Sequence, residues 1–128
     1  MPRRVPPDVR ARRAITERAF QTAVIDYARR SGWLVAHLHD SRRQVAPGVH
    51  VGDRDAAGFP DLVLVRGSRV LFAELKTETG RLRHAQVLWL EALRAVESDA
   101  AGRVLVRVFR PSDWPEIERT LAREAMAA

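Results

Sequence analysis

Apolar side chains recur at helical spacing in three parts of the chain, and each part predicts one helix. The first helix is expected at residues 14–31, because Gly32 suits the position that follows a helix end. The second is expected at residues 82–96. A third is expected from residue 113 to about residue 126, where an Asp-x-x-Glu spacing indicates a capping box. The thin apolar face of this last helix, which would cover the sheet edge or meet a second subunit, consists of Ile117, Leu121 and Ala125.

Short apolar runs predict four strands, at residues 33–39, 62–65, 70–75 and 103–109. The second and third runs flank Gly67-Ser68, and a two-residue connection of this kind is typical of a tight hairpin. The last strand is expected to lie parallel to the third, since a helix separates the two along the chain. The resulting order, α-β-β-β-α-β-α, predicts an α/β domain with a mixed sheet flanked by helices.

The hairpin brings charged side chains to its open end. If the loop is only Gly67-Ser68, the register places Asp61 directly opposite Glu74, with Cβ atoms roughly 4.5–5.5 Å apart. Lys76 follows on the same face as Glu74, because side chains alternate along a strand. Two facing carboxylates repel each other, and a divalent cation between them would remove that repulsion.

This cluster indicates metal-assisted chemistry on phosphate. Mg²⁺ binds one or two carboxylates and keeps its other positions for water and substrate phosphate. The Lys76 ammonium could orient the attacking water or offset developing negative charge. Lys76 is the only lysine among 22 Lys and Arg residues, which favours a chemical role over the alternative, an exposed Glu–Lys pair beside a turn aspartate.

Composition narrows the class of protein. A length of 128 residues predicts one domain. The absence of cysteine excludes disulfides and a cysteine-based zinc site. No apolar run is long enough to span a bilayer and no signal-peptide pattern is evident, so we expect an intracellular, cytoplasmic protein without membrane contact. The net charge of +6 suits a polyanionic partner such as DNA.

The positive charge is concentrated before the predicted domain. Residues 1–13 hold three prolines, five arginines including Arg3 and Arg4, and one aspartate, so we expect a disordered basic arm followed by a single domain at residues 14–128. The arm either binds phosphates without sequence preference or has no role. Residues 40–58 are expected to form an irregular flap over the catalytic face, or a mobile loop with incidental arginines. The candidate DNA contacts on the flap and the first strand are Ser41, Arg42, Arg43, Arg54 and His37.

Three motifs together resemble the PD-(D/E)xK nuclease superfamily. They are Gly58-Phe59-Pro60-Asp61, then Glu74-Leu75-Lys76, then Leu82-Arg83-x-x-Gln86-x-x-Trp89-Leu90. Within the superfamily the chain is most similar to the stand-alone VRR-NUC (virus-type replication-repair nuclease) branch, over residues 16–110. The resemblance implies a restriction-endonuclease-like αβββαβ core, here followed by a C-terminal helix.

The same resemblance implies an endonuclease that cleaves DNA with Mg²⁺ or Mn²⁺. Asp61 and Glu74 would hold the metal, with the Leu75 backbone carbonyl as a further ligand. Lys76 would assist the attacking water. Two more side chains take implied roles: Glu17 on the first helix would bind or tune the metal, and Gln86 would lie beside Lys76 and help to position water or phosphate.

Stand-alone members of this branch are similar to Holliday-junction resolvases, so the resemblance also implies branched DNA as substrate and a homodimer. Two sites on a two-fold dimer suit paired cuts in a four-way junction. Three alternatives remain open from the residues. They are a restriction-like or other structure-specific nuclease, a non-catalytic DNA-binding module on the same fold, and a basic accessory protein whose charged cluster is a salt-bridge patch.

Overall fold

The computed structural model describes residues 16–38, 44–46, 49–50 and 57–122. Within these ranges the helices are α1 (Glu17–Arg30), α2 (His84–Asp99) and α3 (Trp114–Leu121), and a 3-10 turn, Pro111–Asp113, precedes α3. The strands are β1 (Leu34–His37), β2 (Gln44–Ala46), β3 (Val49–His50), β4 (Leu62–Arg66), β5 (Arg69–Leu75) and β6 (Val104–Phe109). No helix in these ranges has both the length and the apolar character needed to cross a bilayer.

Four strands form one mixed sheet in the order β1-β4-β5-β6. The pairs β1–β4 and β4–β5 are antiparallel, and β5–β6 is parallel. The predicted α/β class and the αβββαβ core are therefore confirmed. Residues 40–58, which are expected to be irregular, differ from the prediction. Two short strands within them, β2 and β3, pair as a separate antiparallel ribbon.

The register of the β4–β5 hairpin is the one that the two-residue turn predicts. Arg66 pairs with Arg69, and the ladder continues to the pair of Leu62 with Ala73. Gly67 has φ +60°, which a residue without Cβ adopts at little steric cost. The predicted parallel crossover is also observed, since β6 pairs along the whole of β5 from Val70 onward.

The main core lies between one face of this sheet and the helices α1 and α3. Alternate residues of β4 and β5 point into it, as the strand period requires. Ile117 and Leu121 of α3 have 0% exposure, so the alternative that they meet a second subunit is wrong; Ala125 lies outside the described residues. The buried members of this core are Phe20, Val24, Ala28, Trp33, Leu62, Leu64, Leu71, Ala73, Leu75, Phe109, Ile117 and Leu121.

The opposite face of the sheet packs against α2. Leu90 and Val106 are buried there, outside the main core cluster. Two polar side chains, Glu74 and Gln86, are buried on the same face. The sheet thus separates an apolar core from a layer in which buried polar groups require partners.

One arginine ties together the ends of two helices. Arg66 Nη1 donates to the carbonyls of Ser31 and Leu121, at 2.9 Å each. Arg66 Nη2 donates to the Ala122 carbonyl at 3.0 Å, and the guanidinium lies 4.4 Å from the centre of the Trp33 ring. Carbonyls at a helix C-terminus lack intrahelical donors and carry partial negative charge. Arg66 donates hydrogen bonds to these carbonyls and places a positive charge beside them.

The three helices all begin at the same end of the sheet. Because α1 and α3 end beside Arg66 at the hairpin turn, both begin at the other end of the sheet. The helix α2 links the end of β5 to the start of the parallel strand β6, so it also begins there. All three N-termini therefore lie at the end where β1, β5 and β6 finish.

The expected capping box of the third helix is wrong. The Asp113 carboxylate accepts from the Arg110 backbone N–H at 2.9 Å and makes no cap bond to α3. The reason is the 3-10 turn at Pro111–Asp113, which places Asp113 at the end of one helical element and the start of the next. The helix also ends at Leu121 and not near residue 126, because Ala122 leaves the helical conformation with a ψ of 147°.

Candidate active site

Asp61 is held between two strands at the open end of the hairpin. It lies one residue before β4, and the hairpin register, extended by one pair, places it opposite Glu74. Its Oδ2 accepts from the Leu75 backbone N–H at 2.8 Å. Its carbonyl accepts from the Leu38 N–H at 2.8 Å. These bonds fix the carboxylate beside β5 before any ligand is present.

The residue before Asp61 explains why this end of the hairpin stays open. The same register places Pro60 opposite Leu75, and proline has no N–H to donate. The Leu75 N–H is bonded instead by the Asp61 side chain. In an antiparallel ladder the N–H and C=O of one residue point to the same side, so the Leu75 carbonyl points toward Asp61. This direction agrees with the implied role of that carbonyl as a metal ligand.

Glu74 is a buried carboxylate with only one oxygen bonded. Its exposure is 2%, and its Oε1 accepts from Gln86 Nε2 at 2.9 Å. Its Oε2 is buried without a hydrogen-bond partner in the described part of the chain. Burial, followed by the negative charge of Asp61, raises the pKa of Glu74 from 4.5 to about 8, and the Lys76 ammonium partly opposes this shift.

This donor set fits a divalent cation. Two adjacent carboxylates repel each other, and an unbonded buried oxygen is costly, so a hard cation between Asp61 and Glu74 would relieve both. Mg²⁺ needs few protein ligands and keeps several waters. No group of three or more His, Asp or Glu side chains in the described ranges is placed to hold a metal, which leaves two carboxylates and the Leu75 carbonyl as the set.

Gln86 has both ends of its amide engaged. Its Oε1 accepts from the Arg83 backbone N–H at 2.8 Å, and this bond directs Nε2 to Glu74. With 5% exposure the side chain is buried. Its position on the first turn of α2 therefore orients a metal-ligand candidate, and the implied role in positioning water or phosphate stays a prediction.

Gly58 brings the loop before Asp61 against the start of α2. Its φ is +87°, and a Cβ at this position would lie 2.4 Å from the Ala85 carbonyl carbon and 2.7 Å from the Gln86 nitrogen. Only glycine allows so close an approach. The sequence shows Gly58 as part of a motif, but the contact that requires glycine is visible only in the structure.

Aromatic contacts hold the same loop to the sheet and to α2. Phe59 meets Trp89 edge-on, with ring centres 4.9 Å apart, and meets Phe72 at 6.1 Å. Such edge-to-face pairs are favourable beyond the area that they bury. Trp89, a residue of the third motif, is half-buried and packs on this loop.

Lys76 directly follows β5, and the turn after it is held by hydrogen bonds from Arg110. Its backbone N–H donates to the Phe109 carbonyl at 2.9 Å. Arg110 Nη1 donates to the carbonyls of Thr77 at 2.6 Å and Gly80 at 2.7 Å. These bonds fix the chain directly after Lys76, which is half-buried beside Glu74. Arg110 is a supporting residue that nothing in the sequence pattern singles out.

The remaining candidates are separate from this cluster or outside the described ranges. Glu17 is exposed at the start of α1 and lines a cavity together with His37. It is not part of a three-ligand group with Asp61 and Glu74, so its metal role stays a prediction. The other predicted DNA contacts, which lie outside the described residues, are Arg3, Arg4, Ser41, Arg42, Arg43 and Arg54.

Comparison with known proteins gives one match. The model of the VRR-NUC domain matches residues 52–103, a segment that contains Asp61, Glu74, Lys76 and Gln86. Neither the curated proteins nor the solved structures contain a match. The motif resemblance is thus confirmed over residues 52–103, which are similar to the VRR-NUC domain, a domain of nucleases.

Proposed function

We propose that this protein is a metal-dependent endonuclease that hydrolyses phosphodiester bonds in DNA. The observation that carries the proposal is the unpartnered Oε2 of Glu74, buried next to Asp61 at the open end of the hairpin. A salt-bridge patch would satisfy its carboxylates with cations. Here Glu74 Oε2 has no hydrogen-bond partner in the described residues, which leaves this oxygen available to bind a metal ion.

Each side chain of the cluster takes a role that follows from its position. Asp61, fixed by the Leu75 N–H, and Glu74, fixed by Gln86, would hold Mg²⁺ or Mn²⁺ together with the Leu75 carbonyl. When bound, the metal supplies a more acidic water and withdraws charge from the scissile phosphate. Lys76 sits beside the pair and would orient the water or stabilise the negative charge that develops on phosphate oxygens.

The direction of the helices supports a polyanionic substrate. All three helices begin at the end of the sheet that carries the carboxylates, and helix N-termini favour negatively charged groups. The chain also carries a net charge of +6. Both features attract DNA without regard to its sequence.

The preferred DNA structure and the dimer rest on the resemblance alone, and the location rests on the apolar pattern of the sequence. We propose branched DNA, such as a four-way junction, as substrate, a homodimer as the active form, and an intracellular location. A dimer would present two sites to one junction. A restriction-like activity on plain duplex is the alternative on the same site.

A panel of substrates tests the proposal. Purified protein is incubated with a labelled four-way junction, a plain duplex, a flap and a single strand, in Mg²⁺, Mn²⁺ or EDTA. We expect cleavage in either metal and none in EDTA, with the junction cut fastest. Equal cutting of all four substrates would remove the junction preference and keep the nuclease. Binding without cleavage in any metal would overturn the proposal in favour of a DNA-binding module.

A further inference from the structure

The turn at residues 77–80 lies against part of the Lys76 side chain. The Gly80 N–H closes this turn, since it donates to the Thr77 carbonyl at 3.3 Å and to Thr77 Oγ1 at 3.0 Å. A Cβ added at Gly80 would lie 3.5 Å from Cδ of Lys76, an ordinary van der Waals distance. The methylene chain of Lys76 therefore passes close to Gly80, and the position of the turn limits where the Lys76 ammonium can lie.

Arg110 holds the 77–80 turn from the neighbouring strand. It directly follows β6, and one of its guanidinium nitrogens, Nη1, donates to the carbonyls of both Thr77 and Gly80, at 2.6 Å and 2.7 Å. These carbonyls belong to the first and the last residue of the turn, so a single cation fixes both of its ends. Hydrogen bonds from a charged donor are stronger than those between neutral groups.

The 3-10 turn before α3 holds Arg110 in place. The Arg110 backbone N–H donates to Asp113 Oδ2 at 2.9 Å. The Ser112 N–H donates to Oε1 of Glu78, a residue of the 77–80 turn. The two turns are thus joined by three hydrogen bonds, two from the Arg110 side chain and one from the Ser112 backbone.

A lysine that stabilises charge in a reaction benefits from such support. Its ammonium is a compact charge on a flexible four-carbon chain, whereas electrostatic catalysis depends on groups that are in place before the reaction. Lys76 follows β5 on the same face as Glu74, and its positive charge acts on that carboxylate. The 77–80 turn therefore influences the distance between the ammonium and the proposed metal site.

We propose that Arg110 is a positioning residue that holds the Lys76 ammonium beside Asp61 and Glu74, because it fixes both ends of the 77–80 turn. Arg110 acts through this turn and not by contact with substrate or metal. The inference rests on the proposed nuclease function and deepens it, since it assigns the placement of the charge-stabilising group to a residue after β6.

The mobility of Lys76 tests the inference without DNA or metal. Lys76 is the only lysine of the chain, so protein labelled with ¹³C-lysine gives one Cε signal in NMR. Relaxation of this signal yields an order parameter for motion on the ps–ns timescale. We expect the order parameter to be at least about twofold higher in the wild type than in Arg110→Ala. Arg110→Gln, a milder change that keeps an amide donor, should lower it in the same direction.

Arg66→Gln is the matched control. Arg66 also bonds backbone carbonyls, but at the opposite end of the sheet, so this variant should lose stability and keep the wild-type order parameter of Lys76. Circular dichroism verifies that each variant folds. An unchanged signal in both Arg110 variants, or an equal loss of order in Arg66→Gln, would overturn the inference. A wild-type signal as mobile as in the urea-unfolded protein would overturn it without any variant.

Cleavage kinetics test whether Arg110 acts through Lys76. In Mg²⁺ we expect Arg110→Ala to lower the single-turnover rate by about 10- to 100-fold. In the Lys76→Gln background the same change should lower the rate by less than about 2-fold, because residues that act as a unit are not additive. An equal loss in both backgrounds would assign Arg110 a direct contact and overturn the inference. If the wild type cleaves no DNA in any metal, the proposed reaction fails, and the Lys76 signal still decides the positioning role.

Discussion

At the residue scale, Glu74 determines much of the chemistry of the site. It is buried between the sheet and α2, with one oxygen bonded by Gln86 and the other unpartnered in the described chain. Nearby Asp61 adds repulsion, so without metal the protonated form of Glu74 is favoured. A carboxylate that binds a cation must lose this proton, and proton and metal therefore compete.

The raised pKa of Glu74 predicts how the stability of the metal-free protein depends on pH. In the folded protein the pKa is about 8 and the ordinary value is 4.5, so the folded state binds the proton more tightly. The stabilisation is complete below pH 4.5 and is lost as the pH rises through about 8. We expect the free energy of unfolding, measured by urea titration in EDTA, to fall by a few kcal/mol over this window.

Two variants isolate this effect. Glu74→Gln should flatten the pH dependence, because it removes the titrating carboxyl group. The glutamine side chain can still accept the hydrogen bond from Gln86, so the local structure should be kept. Glu91→Gln changes an exposed glutamate on α2 and should leave the slope as in the wild type. A slope that persists in Glu74→Gln would show that another group titrates in this range.

At the scale of elements, the sequence predicts the strand register and the strand directions, because short connections along the chain determine both. The two-residue Gly67-Ser68 turn fixes the hairpin register, and the helix between β5 and β6 fixes their parallel pairing. The position of Asp61 opposite Glu74 is therefore predictable. The capping box is not, because Asp113 bonds the backbone of a 3-10 turn. Spacing alone does not distinguish a 3-10 turn from a first helical turn.

The close approach of Gly58 to α2 also concerns the packing of elements. It could not be predicted from the sequence, because it joins residues 58 and 85, which are 27 positions apart. Gly58→Ala forces a Cβ into the backbone of Ala85 and requires a strained φ of +87°. We expect it to lower the free energy of unfolding by about 2–4 kcal/mol. It should also weaken Mn²⁺ binding, since the loop carries Asp61.

A matched glycine separates the contact from the backbone angle. Gly67 has φ +60°, but no atom lies within 4 Å of the position that a Cβ would take there, so Gly67→Ala should cost only about 1 kcal/mol. Chemical denaturation measures both losses. Equal losses in the two variants would mean that the contact with α2 contributes nothing beyond the cost of the angle.

At the scale of the whole molecule, the two ends of the sheet differ in electrostatic character. Helix N-termini, the carboxylates and Lys76 lie at one end, and Arg66 bonds the C-terminal carbonyls of α1 and α3 at the other. The sequence indicates Arg66 only as a turn-flanking residue. Its partners, 35 and 55 residues away along the chain, become neighbours only once both helices pack on the sheet.

This arrangement predicts that Arg66 stabilises the fold and not the chemistry. Arg66→Ala removes three hydrogen bonds to helix-end carbonyls and should lower the free energy of unfolding by about 2–4 kcal/mol. Arg119→Ala removes an exposed pair with Glu116 and should cost less than about 0.5 kcal/mol. A similar small loss in both variants would contradict the structural role of Arg66.

The central claim is that Asp61, Glu74 and Lys76 form a metal-dependent site for phosphodiester hydrolysis. Its most direct test is the single-turnover rate of DNA cleavage in Mg²⁺ for wild type, Lys76→Gln and the exposed-cation control Arg119→Gln. Removing one charge-stabilising group from an active site typically costs about 10²–10³ in rate. We therefore predict a loss of at least about 100-fold for Lys76→Gln and a wild-type rate for the control. A wild-type rate in Lys76→Gln would contradict the assignment of this cluster as the active site.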